Sequence, residues 1–262
     1  MNYTPFLQRL AGSPCCLPVM EKEDLFAAYQ RLGLTKYEAF SGWAKCRHEW
    51  TGDPEAERKL AARYEVEITS YHLAPITKAD VEGSLANALA ATRYASRLGA
   101  KIVLLKAEEE SLFGAVGRRF LDAIEQEGLE ITTVLQNHAG SAISTPQDYR
   151  EVFAMLEHDP RIKAVLEVGH FRRIGVDWRE GWEVLDGRIA LIHVNDIRGG
   201  KSVLYGTGDV DFAGLLAQMK KSAYAGDIVV ELELADHAAA PEKTLEGLRE
   251  GIALLARLYD EA

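Results

Sequence analysis

Apolar and polar positions along the chain fall into two alternating rhythms. Short runs dense in Val, Ile and Leu recur at Thr35–Phe40, Glu67–His72, Lys101–Leu105, Ile131–Gln136, Ile162–Val168, Ile189–Val194 and Ile228–Leu234. Several are apolar almost without a break, the pattern of strands covered on both faces of a parallel sheet. Ser13–Pro18 completes the set as a first strand, although its two prolines remove ladder donors. Between the runs, apolar residues return at helical spacing: Leu25, Phe26, Tyr29 and Leu32; Phe113, Val116, Phe120 and Ile124; Leu245, Leu248, Ile252 and Leu255. Asp53-Pro54 and Thr145-Pro146 each join an N-cap to a first-turn proline, and Asp211 stands before the helix carrying Leu215, Leu216 and Met219. Gly33, Gly99 and Gly128 follow last helical turns, where a left-handed residue is wanted.

Strand and helix alternate eight times without a low-complexity linker or a composition break. Eight such units make either a closed barrel or a doubly wound sheet. The sheet would carry a Gly-rich dinucleotide turn after its first strand, and none is present. The 262 residues also match the roughly 250 that a (β/α)8 barrel needs. The expected fold is therefore α/β, a (β/α)8 TIM barrel forming a single domain over residues 1–262.

The remaining bulk properties narrow the partners. A chain that is 47% hydrophobic and 27% charged builds a sizeable core and is not disordered. A formal net charge of −10 argues against a nucleic-acid partner, whose phosphates need Lys and Arg. Cys15, Cys16 and Cys46 fit no structural zinc spacing and read as buried free thiols in a reducing compartment. No secretory signal and no apolar stretch of ~20 residues is visible, so a cytoplasmic protein without a membrane partner is expected. A homo-oligomer is compatible with the sequence.

In a barrel of this type, chemistry sits at the carboxyl ends of the strands. The runs there end on Gln136, Glu167, His193 and Glu231, separated by 31, 26 and 38 residues, each close to one βα unit of about 30. Four neighbouring strands thus aim one oxygen or nitrogen ligand each at a shared centre. Two carboxylates, an imidazole and an amide suit one divalent metal ion, Mn2+, Mg2+, Co2+ or Zn2+, better than a thiolate-seeking metal. Read singly, each residue is an ordinary strand-end polar group; their common register favours the metal site. Earlier strands end on Glu38, His72 and Lys106, which point toward the same mouth, with Glu38 and His72 as candidate substrate contacts. Lys106, if desolvated, becomes a second acid or base; a solvated loop lysine is the alternative. His138, Asp196 and His237 are lesser candidates, and Trp43, Phe113, Phe171 and Trp178 are candidate pocket walls.

Ile192-His193-Val194-Asn195-Asp196, followed by Gly206-Thr207-Gly208-Asp209-Val210-Asp211-Phe212, resembles the signature of the xylose-isomerase-like sugar-phosphate isomerase/epimerase family. Tyr224-Ala225-Gly226 leading into Val229-Val230-Glu231 resembles that family's last strand. Glu167-Val168-Gly169-His170 resembles its Asp-x-x-His motif, and Gln136-Asn137-His138 its Glu-Asn-His. The resemblance runs from about Leu25 to the C-terminus and is strongest after residue 130. It implies a metal held by Gln136, Glu167, His193 and Glu231, and a small sugar-like substrate chelated through adjacent carbonyl and hydroxyl oxygens. It further implies Glu231 as the proton-moving carboxylate and His170 as a catalytic residue that binds the substrate or steadies its developing charge. Lys201, with Arg198 competing, takes the position of a basic substrate contact.

Two residues depart from the family pattern. Gln136 replaces a Glu, and an amide cannot serve as a general base. Glu167 replaces an Asp and reaches one methylene further. A two-carboxylate epimerisation is thereby disfavoured, leaving one-base isomerisation or dehydration. The expected activity is a metal-dependent isomerase or epimerase of a sugar, keto-sugar or cyclitol. The alternatives are a dehydratase of an inosose-like or shikimate-like substrate and a non-catalytic sugar-binding barrel. An endonuclease-IV-like nuclease would need three zinc ions and more early-strand ligands than His72 and Glu38 provide.

Overall fold

The computed structural model describes residues 5–236 and 238–262. The strands are β1 (Leu10–Gly12), β2 (Lys36–Phe40), β3 (Glu67–His72), β4 (Ile102–Leu104), β5 (Thr132–Gln136), β6 (Ile162–Glu167) and β7 (Ile189–Val194). A small antiparallel hairpin, β8 (Ile197–Arg198) and β9 (Lys201–Ser202), precedes the last barrel strand, β10 (Asp227–Val230). The helices are α1 (Lys22–Leu32), α2 (Pro54–Arg63), α3 (Val81–Leu98), α4 (Glu110–Gln126) and α5 (Pro146–Met155). They continue with α6 (Val168–Arg173), α7 (Trp178–Leu185), α8 (Phe212–Lys221) and α9 (Pro241–Glu261). Strands β1 to β7 and β10 pair in parallel, and β1 closes the barrel by bonding to both β2 and β10.

Helix ends follow the expected devices. Asp53 accepts from the Glu55 amide, Asp211 from the Gly214 amide, and Thr145 forms a reciprocal capping box with Asp148. Gly33 and Gly99 take left-handed φ of 76° and 106° beyond α1 and α3. Most strand ends fall within one residue of expectation, but the first and last strands differ by more. The first strand is Leu10–Gly12 rather than Ser13–Pro18, because Ser13 caps a 3-10 turn at Pro14–Cys16 and turns the chain away. The last ends at Val230 rather than Leu234, because the Glu231 amide is taken by the Val194 carbonyl and the Tyr205 hydroxyl. Among the described residues no helix is long and apolar enough to cross a membrane.

Inside the barrel, Ala11, Leu104, Val134, Val165, Leu191 and Val229 form a dry plug, none more than 1% exposed. Burying an aliphatic side chain contributes about 1.5–3 kcal/mol, so this layer stabilises closure strongly. Its larger consequence is positional. Side chains alternate along a strand, so the residue two places on faces the same way, one layer nearer the carboxyl ends. Two past Val134, Val165, Leu191 and Val229 stand Gln136, Glu167, His193 and Glu231; two past Leu104 stands Lys106. An apolar floor thus carries a polar layer directly above it.

The register between β6 and β7 slips at Ala164/Val165. There the buried Tyr149 hydroxyl lies 2.7 Å from the Val165 carbonyl, with the Leu135 carbonyl at 3.2 Å and Asn137 Oδ1 at 3.3 Å. Tyr149→Phe removes the donor and should cost about 1–2 kcal/mol. Urea denaturation would show a lower midpoint with an unchanged slope; an unchanged midpoint would show that the hydroxyl contributes nothing to this seam.

Candidate metal centre

The polar layer converges on His193, which is fully buried. Its Nδ1 lies 3.0 Å from Glu167 Oε2, 3.3 Å from Glu231 Oε1 and 3.3 Å from Gln136 Nε2. Its Nε2 faces Glu38 Oε2 at 3.2 Å. Each approach has a local cause. Asn137 latches the backbone of Glu167 from both sides, donating to its carbonyl at 2.9 Å and accepting its amide at 3.0 Å. Glu167 Oε1 accepts the Gly169 amide at 3.1 Å, which fixes the carboxylate and leaves Oε2 turned inward. Tyr205 is buried against the next seam: its hydroxyl accepts the Glu231 amide at 3.0 Å and reaches the Val194 and Glu231 carbonyls at 2.7 and 2.8 Å.

The electrostatics call for positive charge. Burial alone would strip the proton from His193, but the facing carboxylates of Glu38, Glu231 and Glu167 outweigh it and raise the pKa well above the usual imidazole value. Burial, with the Glu231 charge alongside, pushes Glu167 up to about 8. Burial opposes ionisation of Glu231 too, but His193 more than offsets it and lowers its pKa. Glu167 Oε2 is buried without a hydrogen-bond partner despite its 3.0 Å contact with His193. The ligand atoms of Glu167, His193 and Glu231 all lie within 4.8 Å of one another. These residues fit one divalent cation: two carboxylate oxygens and an imidazole nitrogen around a common point, with charge to be neutralised. Gln136 can join them, since a half-turn of its amide exchanges nitrogen for oxygen at the centre.

A cavity of about 140 Å3 opens above this layer, lined in part by His72, Lys106, Gln136, His170 and Glu231. A neighbouring cavity of about 330 Å3 shares Lys106, Gln136 and His138 and extends to Phe113. Trp43, 68% exposed, overhangs the smaller cavity with its ring centroid 5.6 Å from that of Phe40. His170, on α6, accepts the Ala139 amide at Nδ1 (3.3 Å) and is lowered to about 3 by burial and the neighbouring His138 ring. It is therefore a neutral imidazole whose remaining nitrogen carries the proton. Lys106 is lowered to about 8 by burial, partly offset by Glu38 and Glu231. Cys15 also lines the smaller cavity.

The structure brings Gln136, Glu167, His193 and Glu231 together, with Glu38, His72, Lys106 and His170 beside them. Lys201 and Arg198 lie elsewhere, exposed on the β8–β9 hairpin and lining neither cavity; Arg198 reaches toward Asp209 at 4.0 Å. Phe171 is wholly buried in the core, and Trp178 is buried in the same core with the Arg179 guanidinium over its ring. His237 falls outside the described residues. Asp196 does not orient a ligand. Its carboxylate gathers the amides of Ile197, Gly206, Gly208 and Val210 at 2.8–3.2 Å, so the Gly-Thr-Gly-Asp segment is a loop wound around one buried aspartate. A Cβ at Gly208 would fall 2.0 Å from Asp196 Oδ1, which explains the glycine. Tyr205 went unremarked in the sequence, and Asn137 entered only as the middle of the Gln136-Asn137-His138 motif, with no role assigned.

A cation must displace the proton that the carboxylates hold on His193, since a ligating imidazole is deprotonated at the binding nitrogen. Metal uptake should therefore release at least one proton per ion near neutral pH, and affinity should rise with pH. Calorimetric titration with Co2+ in two buffers of different ionisation enthalpy counts these protons. Uptake without proton release would contradict this picture of the centre.

No curated protein matches the chain in sequence. Among solved structures, the IolI protein with a bound zinc atom superposes with a TM-score of 0.78 at 13% identity, over 96% of this chain and 99% of that one. An L-ribulose 3-epimerase gives 0.74 at 14% identity, over 96% and 94%. The 3-keto-D-glucoside 4-epimerase YcjR of E. coli gives 0.73 at 13% identity, over 93% and 99%. At these identities the likeness establishes the fold. The family description "xylose isomerase-like TIM barrel" matches residues 26–258, nearly the whole barrel, and the chain belongs to that family.

Proposed function

We propose that the chain is a divalent-metal-dependent isomerase or epimerase of a small sugar, keto-sugar or cyclitol, acting by proton removal next to a carbonyl. The observation that carries this reading is the convergence of Glu167, His193 and Glu231 within 4.8 Å, with Gln136 beside them, at the floor of a cavity. A cation held there would supply Lewis-acid polarisation of a carbonyl and the hydroxyl next to it. Zinc in the structural neighbour IolI and the epimerase activities named for two others are in keeping with it.

The chain's own residues divide the remaining work. Glu231 is ionised and lines the cavity, so it takes the proton from carbon. Neutral His170 donates a hydrogen bond to a substrate oxygen as charge develops on it. Lys106 lines both cavities and provides an acid near the working pH. Trp43 offers an exposed aromatic face on which a sugar ring can stack. Glu38 and His72 stand beneath the substrate; Lys201 and Arg198 approach it only if the β8–β9 hairpin moves inward.

The Gln136 replacement favours a second reading, a dehydratase. With one carboxylate base and an ammonium acid, Glu231 would remove the proton and Lys106 would protonate the departing hydroxyl. Proton NMR in deuterated water separates the readings when combined with mass spectrometry of the product. Under either reading, substrate C–H exchange requires Mn2+ or Co2+ and stops with a chelator; only dehydration loses a water. Glu231→Gln should lower exchange by on the order of 10²–10⁴-fold. Exchange at the wild-type rate in that variant would remove Glu231 from the reaction. Trp43→Ala should raise KM with little change in kcat if the ring binds substrate; an unchanged KM would leave it a surface residue.

A further inference from the structure

A line of polar side chains crosses the barrel beneath the cavity, from the end of β4 to β7. Lys106 Nζ lies 2.6 Å from His72 Nδ1. His72 Nε2 lies 2.8 Å from Glu38 Oε1, an electrostatic contact outside hydrogen-bond geometry. Glu38 Oε2 lies 3.2 Å from His193 Nε2 and also accepts from Ser70 Oγ at 3.0 Å. Glu38 and His193 are wholly buried and His72 is 5% exposed, so water does not compete for these contacts. Glu38 is on β2 and His193 on β7, with β1 and β10 between them in the barrel order, so the carboxylate spans the barrel interior.

The direction of every hydrogen bond in this line follows from its outer end. A lysine ammonium has hydrogens to give and no lone pair. His72 Nδ1 must then accept, so the one proton of that neutral ring sits on Nε2 and faces Glu38. Glu38 Oε2 accepts from Ser70 and His193, and Oε1 attracts the His72 N–H as a charge facing a dipole. His193 meets it with Nε2–H, which leaves Nδ1 for the cluster of Glu167, Glu231 and Gln136.

We infer that Lys106, His72 and Glu38 form a positioning relay that holds His193 in the one tautomer able to present Nδ1 to a cation. The inference rests on the reading of Gln136, Glu167, His193 and Glu231 as a metal centre. It adds a role for Lys106 distinct from proton delivery: one ammonium hydrogen fixes His72, and the others face the cavity. Glu38, which the sequence suggested as a substrate contact, belongs beneath the metal instead.

The same residues also qualify, by distance alone, as a second metal site, since ligand atoms of Glu38, His72 and His193 lie within 4.8 Å of one another. Charge and bonding argue against it. Such a site has a single carboxylate, whose oxygens already face three donors. It has an ammonium 2.6 Å from His72's other nitrogen, and it would share one imidazole with the first cation. The relay therefore requires one metal ion per chain, not two.

Two measurements test this apart from turnover. The first is the tautomeric state of the histidines, read by long-range nitrogen–proton NMR on the full chain labelled at histidine, metal-free and loaded with Zn2+. His72 should be the Nε2–H tautomer in both, and Lys106→Met should shift it toward a mixture while Lys106→Arg restores it. An Nδ1–H His72 in the wild type, or no change in Lys106→Met, overturns the relay. The second is Co2+ affinity and stoichiometry by equilibrium dialysis. One ion per chain is expected, with affinity about ten- to a hundredfold weaker in Glu38→Gln, the usual effect of removing a ligand's outer partner. Two ions per chain, or full affinity in Glu38→Gln, overturns the relay. Glu167→Ala keeps the two readings apart: if it loses metal while Glu38→Gln does not, the relay alone fails. If Glu167→Ala also binds with full affinity, the metal centre itself is wrong. The wild-type tautomer spectrum stands whether or not a variant folds.

Discussion

Parallel strands in a barrel project every second side chain inward, and here that rule packs carboxylates around a single buried imidazole. Glu38, Glu167 and Glu231 all approach His193 within 3.0–3.3 Å, above a floor of Ala, Val and Leu that admits no water. Two unit charges ~4 Å apart interact by about 4 kcal/mol at an effective dielectric of ~20. Like-charged carboxylates at such range are sustained only by a cation or a proton. The raised pKa values of His193 and Glu167 are the proton's answer to that demand, and a divalent ion would answer it better. Cavity, base and relay all take their positions from this concentration of charge.

Much of this was legible in the chain because it is local. A strand's period of two carries each polar residue one layer above an apolar one, so a Val-x-Glu or Leu-x-His ending announces an inward ligand. The helix caps at Asp53, Thr145 and Asp211 lie within three residues of the amides they bind, and they too could be read directly. What escaped depends on partners far along the chain. Tyr205 holds Glu231 across 26 positions, and Asp196 winds a loop that ends 14 residues later. Nothing in the neighbouring residues marks either role. The course of the hairpin carrying Arg198 and Lys201 is likewise set from afar: Ser202 is bonded to Asn195 and to the Glu233 amide, and neither cation lines the two cavities.

The most informative single residue is Gln136. Its amide oxygen can still serve as a ligand on β5, but it cannot be the base that a carboxylate would provide, so the proposed centre would bind a metal with a base on one strand only. In the proposed reaction Glu231 is the carboxylate base, and Lys106 and His170, which line the same cavity, are the hydrogen-bond donors. Under that proposal the chemistry has one proton abstraction and one protonation, which isomerisation, epimerisation with a lysine partner, and dehydration all satisfy.

The central claim is that four side chains from consecutive strands grip one cation. Anomalous diffraction from crystals soaked in Co2+ tests it most directly. The account predicts a single strong peak among Gln136, Glu167, His193 and Glu231, bound through Nδ1 of His193. A peak between Glu38 and His72 instead, or no peak at the barrel centre at full soaking concentration, would contradict it.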